Sequence, residues 1–240
     1  MTDFTIEEIN EKILISPESF ISQCEERYNE SLRSVARKIL CYKGRTLVML
    51  AGPSSSGKTT TASIICRLIK ESGRNAAMVS LDDFYKDQTN APRFPDGRPD
   101  FETVHALDIE KITCCLSLLL KTGRADMPVF DFTERKPKEE TVVLEIGESD
   151  VVIVEGLHAL NPLITGPLEN ENMLKLYVSV SSRIYNGEKV VFSKRDIRQI
   201  QQIQVQQLQQ IQRIQVRQQL RLILPVMQSL TINLYLKMAS

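Results

Sequence analysis

Residues 52–59 read Gly-Pro-Ser-Ser-Ser-Gly-Lys-Thr and fit G-x-x-x-x-G-K-[ST], the pattern of a phosphate-binding loop. Glycines at 52 and 57 let the backbone bend around an anion. The loop N–H groups and the N-terminus of the next helix supply a positive field for phosphates. In such a loop Lys58 reaches the β- and γ-phosphates and the Thr59 hydroxyl binds Mg²⁺, with Pro53, Ser54, Ser55, Ser56 and Thr60 completing the cradle. A Gly/Ser-rich turn before a helix can imitate part of this pattern. The flanks argue against imitation: Thr46–Ala51 is an apolar, strand-like run, and Ala62, Ile65, Cys66 and Ile69 share one helical face after the loop. The octapeptide in a strand–loop–helix setting predicts a bound nucleoside triphosphate.

Three acids fall where an α/β nucleotide site is assembled, at the carboxyl ends of strands. Ala76–Leu81 reads as a strand and is followed by Asp82 and Asp83; the Val/Ile-rich run 150–156 carries Glu155 near its end. Phosphoryl transfer to a hydroxyl needs a base beside that hydroxyl and a cation across the phosphates. Asp82 is therefore assigned as the base and Glu155 as a ligand of magnesium or of its water shell. Asp83 reads as a solvated or helix-capping acid, slightly ahead of a chemical role.

The elements that must position these groups follow from pattern. Ser16-Pro17-Glu18 starts a helix with a capping hydroxyl and proline at its first position. Phe20, Ile21, Cys24, Tyr28, Leu32, Val35, Ala36 and Ile39 continue it at helical spacing. Residues 86–103 are polar and contain three prolines and a glycine, which predicts a long surface loop. Asp108 caps a helix running to about Lys121, with Ile109, Ile112, Leu116, Leu119 and Leu120 inward. Residues 127–132 and 141–146 read as strands around a charged turn, and 174–180 as another strand. Strands alternating with helices predict an α/β fold of the P-loop type: a three-layer sandwich with a mainly parallel sheet covered on both faces. The expected organisation is a helical N-terminal extension over 1–44, a P-loop core over 45–198 and a Gln-rich segment over 199–240. That last segment reads as a helix or as an aggregation-prone polar tract.

Bulk composition removes several classes. Thirty basic residues balance thirty acidic ones, so no global field points to nucleic acid, although a local patch would escape this count. No apolar run approaches the roughly 20 residues of a membrane span. The acidic start lacks the form of a signal peptide, so a cytoplasmic chain is expected. Five scattered cysteines form no C-x-x-C and read as reduced thiols. Two histidines exclude a His-rich metal site, and no G-x-S-x-G supports a serine nucleophile.

With these stretches in hand the chain resembles the uridine kinase and phosphoribulokinase family of P-loop kinases, closest to the uridine-kinase-like domain of long bacterial nucleoside kinases. The resemblance is carried by AGPSSSGKTT at 51–60, SLDDFY at 80–85, PDFETVHALD at 99–108, MPVFDF at 127–132 and VVIVEGLHALNP at 151–162. It covers about residues 5–198. It implies ATP and Mg²⁺ as cofactors, a small nucleoside as acceptor, Asp82 as the catalytic aspartate and Tyr85 as an aromatic beside the nucleoside. It implies further that Phe101 and Glu102 form an aromatic–acid pair holding the ribose hydroxyls, with Glu155 near magnesium. From the residues alone, Tyr85 and Phe101 serve equally well as loop anchors. No nucleic-acid or membrane partner is expected, and a homo-oligomer is left open.

Two departures qualify what carries over. Family members that read uracil have Tyr in P-x-Y-D-F and a His soon after; here Phe130 and Arg135 stand at or near those places. A missing polar contact to a base can shift specificity strongly, so uridine or cytidine is the default acceptor, with a sugar phosphate or pantothenate as alternatives. The family also closes an arginine-bearing lid helix over the phosphates. Arg195 and Arg198 are candidates, but the next expected arginines fall on Gln201, Gln202 and Val205. Loss of a charge-stabilising arginine costs on the order of 10³ in rate. This pattern predicts a decayed, truncated or frameshifted lid, and keeps open an ATP-binding protein without turnover.

Overall fold

The computed structural model describes residues 4–169, 171–180, 183–193, 195–197, 199 and 232–238. The chain divides into two compact units, one of Met1–Ser34, Pro53–Gly57 and Val178–Tyr235, the other of Val35–Gly52, Lys58–Tyr177 and Leu236–Ser240.

In chain order the elements open with β1 (Phe4–Thr5), α1 (Ile6–Ile15) and α2 (Pro17–Leu40). A reciprocal capping box starts α1: Glu8 N donates to Thr5 Oγ1 (3.1 Å) and Thr5 N donates to Glu8 Oε2 (3.0 Å). Ser16 caps α2 as its sequence predicts, its hydroxyl accepting from Ser19 N at 3.2 Å. Along α2 the buried positions are Phe20, Cys24, Leu32, Val35, Ala36 and Ile39, the face read from the sequence.

Next come β2 (Thr46–Ala51), α3 (Lys58–Glu71), β3 (Ala76–Ser80) and a 3₁₀ turn over Leu81–Phe84. A second 3₁₀ turn (Val104–Ala106) leads to α4 (Ile109–Thr122), then β4 (Arg124–Asp131), β5 (Lys136–Glu145) and β6 (Val151–Gly156). The helical turn α5 (Pro162–Thr165) precedes β7 (Met173–Val180), β8 (Ile184–Asn186), β9 (Lys189–Phe192) and β10 (Ile232–Met238).

The main sheet has the order β3–β6–β2–β7–β10, and β2, β3, β6 and β7 are parallel. Every residue of β2 and β6 is buried, so these strands are covered on both faces, which is why they are unbroken apolar runs rather than alternating ones. Helix α3 buries Ala62, Ile65, Cys66 and Ile69, and α4 buries Ile112, Leu116, Leu119 and Leu120. Each such aliphatic side chain contributes roughly 1.5–3 kcal/mol when fully buried. Asp108 caps α4, accepting from Lys111 N at 3.0 Å. The parallel, mainly α/β architecture of a P-loop protein is the one the sequence predicts.

Three features depart from the expected layout. Strands β4 and β5 pair antiparallel as a separate two-stranded hairpin and run further into the charged stretch than pattern suggests. Residues 136–140 are exposed on both faces of β5, so no apolar alternation marks them. A second hairpin, β8–β9, follows β7 and pairs with β1, standing ahead of the helical residues 195–197, where the resemblance leads directly to a lid helix. The helix expected over the tail falls mostly outside the described residues, but Ile232–Met238 is a strand beside β7. Its alternating Ile-Asn-Leu-Tyr-Leu-Lys-Met composition suits an extended chain. Among the described residues no helix is long and apolar enough to cross a membrane.

Candidate active site

Parallel register decides where the chemistry sits. Leu50 lies beside Glu155, Ala51 beside Gly156, and Ser80 beside Glu155. Strands β2, β6 and β3 therefore stop level with one another. At this one edge stand Glu155 and the turn that carries Asp82, and β2 runs on in the chain into the 52–57 loop.

The loop itself needs unusual backbone. Ser55 has φ 57° and Gly57 φ 83°, left-handed values that Gly adopts without penalty and Ser only where its surroundings impose it. Ser56 N donates to Pro53 O at 3.2 Å, closing the turn. The Ser56 hydroxyl is buried with no hydrogen-bond partner among the described residues. A buried polar atom without a partner is uncommon and marks a place where a ligand atom or water belongs. Lys58, Thr59 and Thr60 form the first turn of α3.

Beyond the loop, Ser80 organises the carboxylates. Its hydroxyl donates to Glu155 Oε1 at 3.0 Å and accepts from Asp82 N at 3.4 Å, so one side chain caps the 3₁₀ turn and orients Glu155. Burial raises the Glu155 carboxyl above its ordinary range, against the hydrogen bond from Ser80 and the charge of Lys58. Burial likewise raises Asp82, opposed by Lys58 and His158 and reinforced by Asp83. Asp82 keeps an exposed edge while its neighbours remove much of its water. Lys58 is lowered by burial, with Glu155 and Asp82 pulling the other way. Lys58 thus favours the charged form of both acids, and Asp82 disfavours that of Glu155, in a partly dry site where charge effects are strong.

Backbone closeness fixes the Asp82 turn against β6. A Cβ placed on Gly156 would lie 2.7 Å from Leu81 Cβ, so only glycine permits this approach. Next to it, the half-buried Asp83 does more than face solvent: its carboxylate accepts from Phe130 N at 3.3 Å and ties the β4–β5 hairpin to the turn.

An aromatic cluster flanks the acids. The Tyr85 ring meets Phe101 at 5.5 Å and Phe130 at 5.7 Å, both edge-on, and Phe130 meets Phe132 at 5.2 Å. Tyr85 Oη donates to Phe101 O at 3.2 Å, and burial near Asp82 and Glu102 pushes its phenol to about 12. Tyr85 and Phe101 are therefore anchors of one another whatever else they touch. Glu102 is exposed and Phe130 buried. Arg135 sits in the hairpin turn at φ 55°, side chain exposed, while its carbonyl accepts from Gln88 N at 3.2 Å. A cavity of about 500 Å³ opens nearby, lined by Asp83, Tyr85, Lys86, Asp108, Lys111 and Pro128 among others. Of the residues expected around an acceptor, Tyr85 alone lines it. Arg195 is exposed in the helical turn after β9, and Arg198 lies outside the described residues.

Sequence reasoning passes over Ser80 and His158, and it weighs Asp83 only as a solvated or capping acid, without its partner Phe130 N. Ser80 was legible, since a serine two residues before an acid at a strand end is a cap signal. The other two act through partners 47 and 56 residues away in the chain, which no local pattern reveals.

The donor set can be tested against a bound cation. Among the described residues no group of three or more His, Cys, Asp or Glu side chains could hold a metal. Mg²⁺ does not require one: it is usually held by one or two carboxylates with phosphate and water oxygens. Thr59, Glu155 and Asp82 are hard oxygen donors of that kind, so the residues fit.

A parallel sheet, a G-x-x-x-x-G-K-T loop between strand and helix, and strand-end acids beside its lysine define a P-loop α/β protein. A sequence model of the phosphoribulokinase / uridine kinase family matches residues 47–233, well over half of the chain. The chain belongs to this family. Curated relatives include the uridine kinase of Lactobacillus helveticus (strain DPC 4571), 30% identical over 138 residues that make up 58% of this chain and 63% of the relative. The uridine kinase of Clostridium novyi (strain NT) is 28% identical over 153 residues, 64% of this chain and 69% of the relative. The chain thus spans just under two thirds of the first of these proteins. A solved structure described as a possible uridine kinase from Bacillus stearothermophilus is similar at 22% identity, covering 54% of this chain and 71% of its own, with a TM-score of 0.47. At that score it adds no weight.

Proposed function

We propose that this chain is an ATP-dependent nucleoside kinase that phosphorylates a 5′-hydroxyl, with uridine or cytidine as the default acceptor. The observation that carries this reading is the strand register that brings Glu155 and the Asp82 turn, joined through Ser80, level with the end of the strand leading to Lys58. Residues 45–198 form the kinase core in this reading.

Residues 52–60 hold the triphosphate, and Ser56 gains a partner for its buried hydroxyl. Thr59 and Glu155 hold Mg²⁺, which when bound neutralises charge on the phosphates. Lys58, whose charge Glu155 and Asp82 favour against its burial, stabilises negative charge on the oxygens of the transferred group. Asp82 takes the proton from the attacking hydroxyl. Its raised pKa suits a group that must be ionised before attack and accept a proton during it. Tyr85, Phe101 and Phe130 offer aromatic faces to a base, and Glu102 accepts hydrogen bonds from ribose hydroxyls.

The test is ADP production from ATP and Mg²⁺ across a panel of nucleosides, with Asp82→Asn as control. Turnover on uridine or cytidine that disappears in the variant supports the proposal. Tight ATP binding with no turnover on any acceptor supports a second reading, a nucleotide-binding protein with a decayed lid. Gln201, Gln202 and Val205 in place of arginines favour that second reading.

A further inference from the structure

His158 lies in the turn after β6, three residues past Glu155. That turn is fixed by its own backbone: Ala159 N donates to Gly156 O at 3.3 Å and Asn161 N to His158 O at 2.8 Å. The His158 Nε2 atom is 2.8 Å from Glu102 O. A carbonyl oxygen only accepts, so Nε2 carries the hydrogen and donates. One residue earlier, the Phe101 carbonyl accepts from Tyr85 Oη. Two consecutive carbonyls at the end of the long 86–103 segment are thus held by side chains from two separate strand ends. Tyr85 follows β3, and His158 follows β6.

We propose that His158 is a positioning residue: it clamps the Phe101–Glu102 backbone to the strand bearing Glu155 and so sets where the acceptor is held relative to the phosphate-binding edge. The role at the acceptor rests on the reading above; the clamp itself does not. A loop of eighteen residues with free ends would sample many positions, and fixing its final residues removes that freedom before substrate arrives. Local bonds finish the job: Glu102 N donates to Asp100 Oδ1 (2.9 Å), His105 N to Thr103 Oγ1 (3.4 Å) and Ala106 N to Thr103 O (3.1 Å). These hold the segment's internal shape but not its place on the sheet. Lys86 N donates to Ala106 O (2.9 Å) and Asp108 N to Phe84 O (2.8 Å), which ties down the residues just beyond the segment; among the described residues the Tyr85 and His158 bonds are those that tie the Phe101 and Glu102 carbonyls to strand ends.

The experiment pairs two readouts on the full chain. Hydrogen–deuterium exchange follows the amides of 100–106 and, as reference, those of β6. Steady-state kinetics vary acceptor and ATP separately. His158→Ala is expected to speed exchange over 100–106 about five- to tenfold, the worth of one hydrogen bond, with β6 unchanged. It should raise the acceptor KM by a similar factor and leave kcat and the ATP KM within about twofold. His158→Gln, whose amide can place a donor near the same point, should restore both. Unchanged exchange in His158→Ala, equal loosening of β6, or failure of His158→Gln to restore protection each overturns the clamp. If exchange behaves as expected while the wild type turns over no nucleoside, the clamp stands and the acceptor reading of residues 101–102 falls.

Discussion

Strand ends and loops divide the work of this site in different ways. Glu155 and the Asp82 turn hang from strands buried on both faces, in register with β2, with Ser80 and Gly156 leaving them little room. Phe101, Glu102, Phe130 and Arg135 belong to a long loop and to a hairpin outside the sheet, held by single hydrogen bonds and edge-on ring contacts. The first region is closely packed, every residue of β6 being buried. In the second, Glu102 and Arg135 are exposed, and Phe130 is buried. In the proposed reading chemistry sits on the rigid part and recognition on the adaptable part, an arrangement that would let acceptor preference change without rebuilding the phosphate-binding edge.

The largest effect should come from Asp82→Asn. If Asp82 is the base, kcat falls by about 10²–10⁴ while ATP binding persists. Stability should move the opposite way. The Asp82 carboxyl is raised in the folded chain, so the native state binds its proton more tightly than the unfolded state does. The wild type then loses stability as pH rises through the window from the ordinary carboxylate value to the raised one. An amide carries no such penalty, so the variant should be as stable as wild type in acid and equal or more stable at neutral pH. Urea melts over a pH series and a turnover assay check both halves. A variant that is inactive and also less stable at neutral pH would mean that the carboxylate is structural.

Next in size is Gly156→Ala, which puts a methyl group 2.7 Å from Leu81 Cβ. The 3₁₀ turn must shift, carrying Asp82 with it. Overpacking of this kind costs about 1–3 kcal/mol, and misplacement of the base should lower kcat at least tenfold. Thermal unfolding and kcat measured together report whether the strand-end region is as unyielding as its packing implies. Wild-type values in both would show that the turn can move freely.

How much of this was readable beforehand follows the same division. The phosphate-binding loop, β6 with its terminal Glu155, and the buried faces of α3 and α4 are local patterns, because burial repeats at strand or helix period. Asp82 was legible from its place after an apolar run. The roles of Asp83 and His158 were not, since each depends on a backbone atom contributed by a distant segment. The hairpin's true length was hidden for a related reason: strands exposed on both faces carry no alternation. Tyr85 and Phe101 were left balanced between anchor and ligand contact, and their mutual hydrogen bond shows that the anchoring half holds.

Phe130→Tyr probes the adaptable side. Phe130 is buried against Tyr85, with its backbone N–H committed to Asp83. A hydroxyl there adds one polar partner for a base edge and should change the preference between nucleosides by about tenfold, a single hydrogen bond's worth of discrimination. Competition assays with paired nucleosides would read it. Selectivity unchanged to within twofold would separate Phe130 from the acceptor.

The smallest effect is expected at Val143→Thr. Val143 is 46% exposed on β5 and lies opposite Asp126, so the exchange keeps a β-branched side chain on a strand and places its hydroxyl in water. Stability should stay within about 0.5 kcal/mol of wild type, and turnover should be unchanged. The same exchange on β6, where every residue is buried, would bury an unpaired hydroxyl. Urea melts of the hairpin variant therefore test the division from its quiet side. A loss well beyond that margin at Val143 would mean that the outer face of the hairpin is packed, and that recognition elements here are held as firmly as the strand ends.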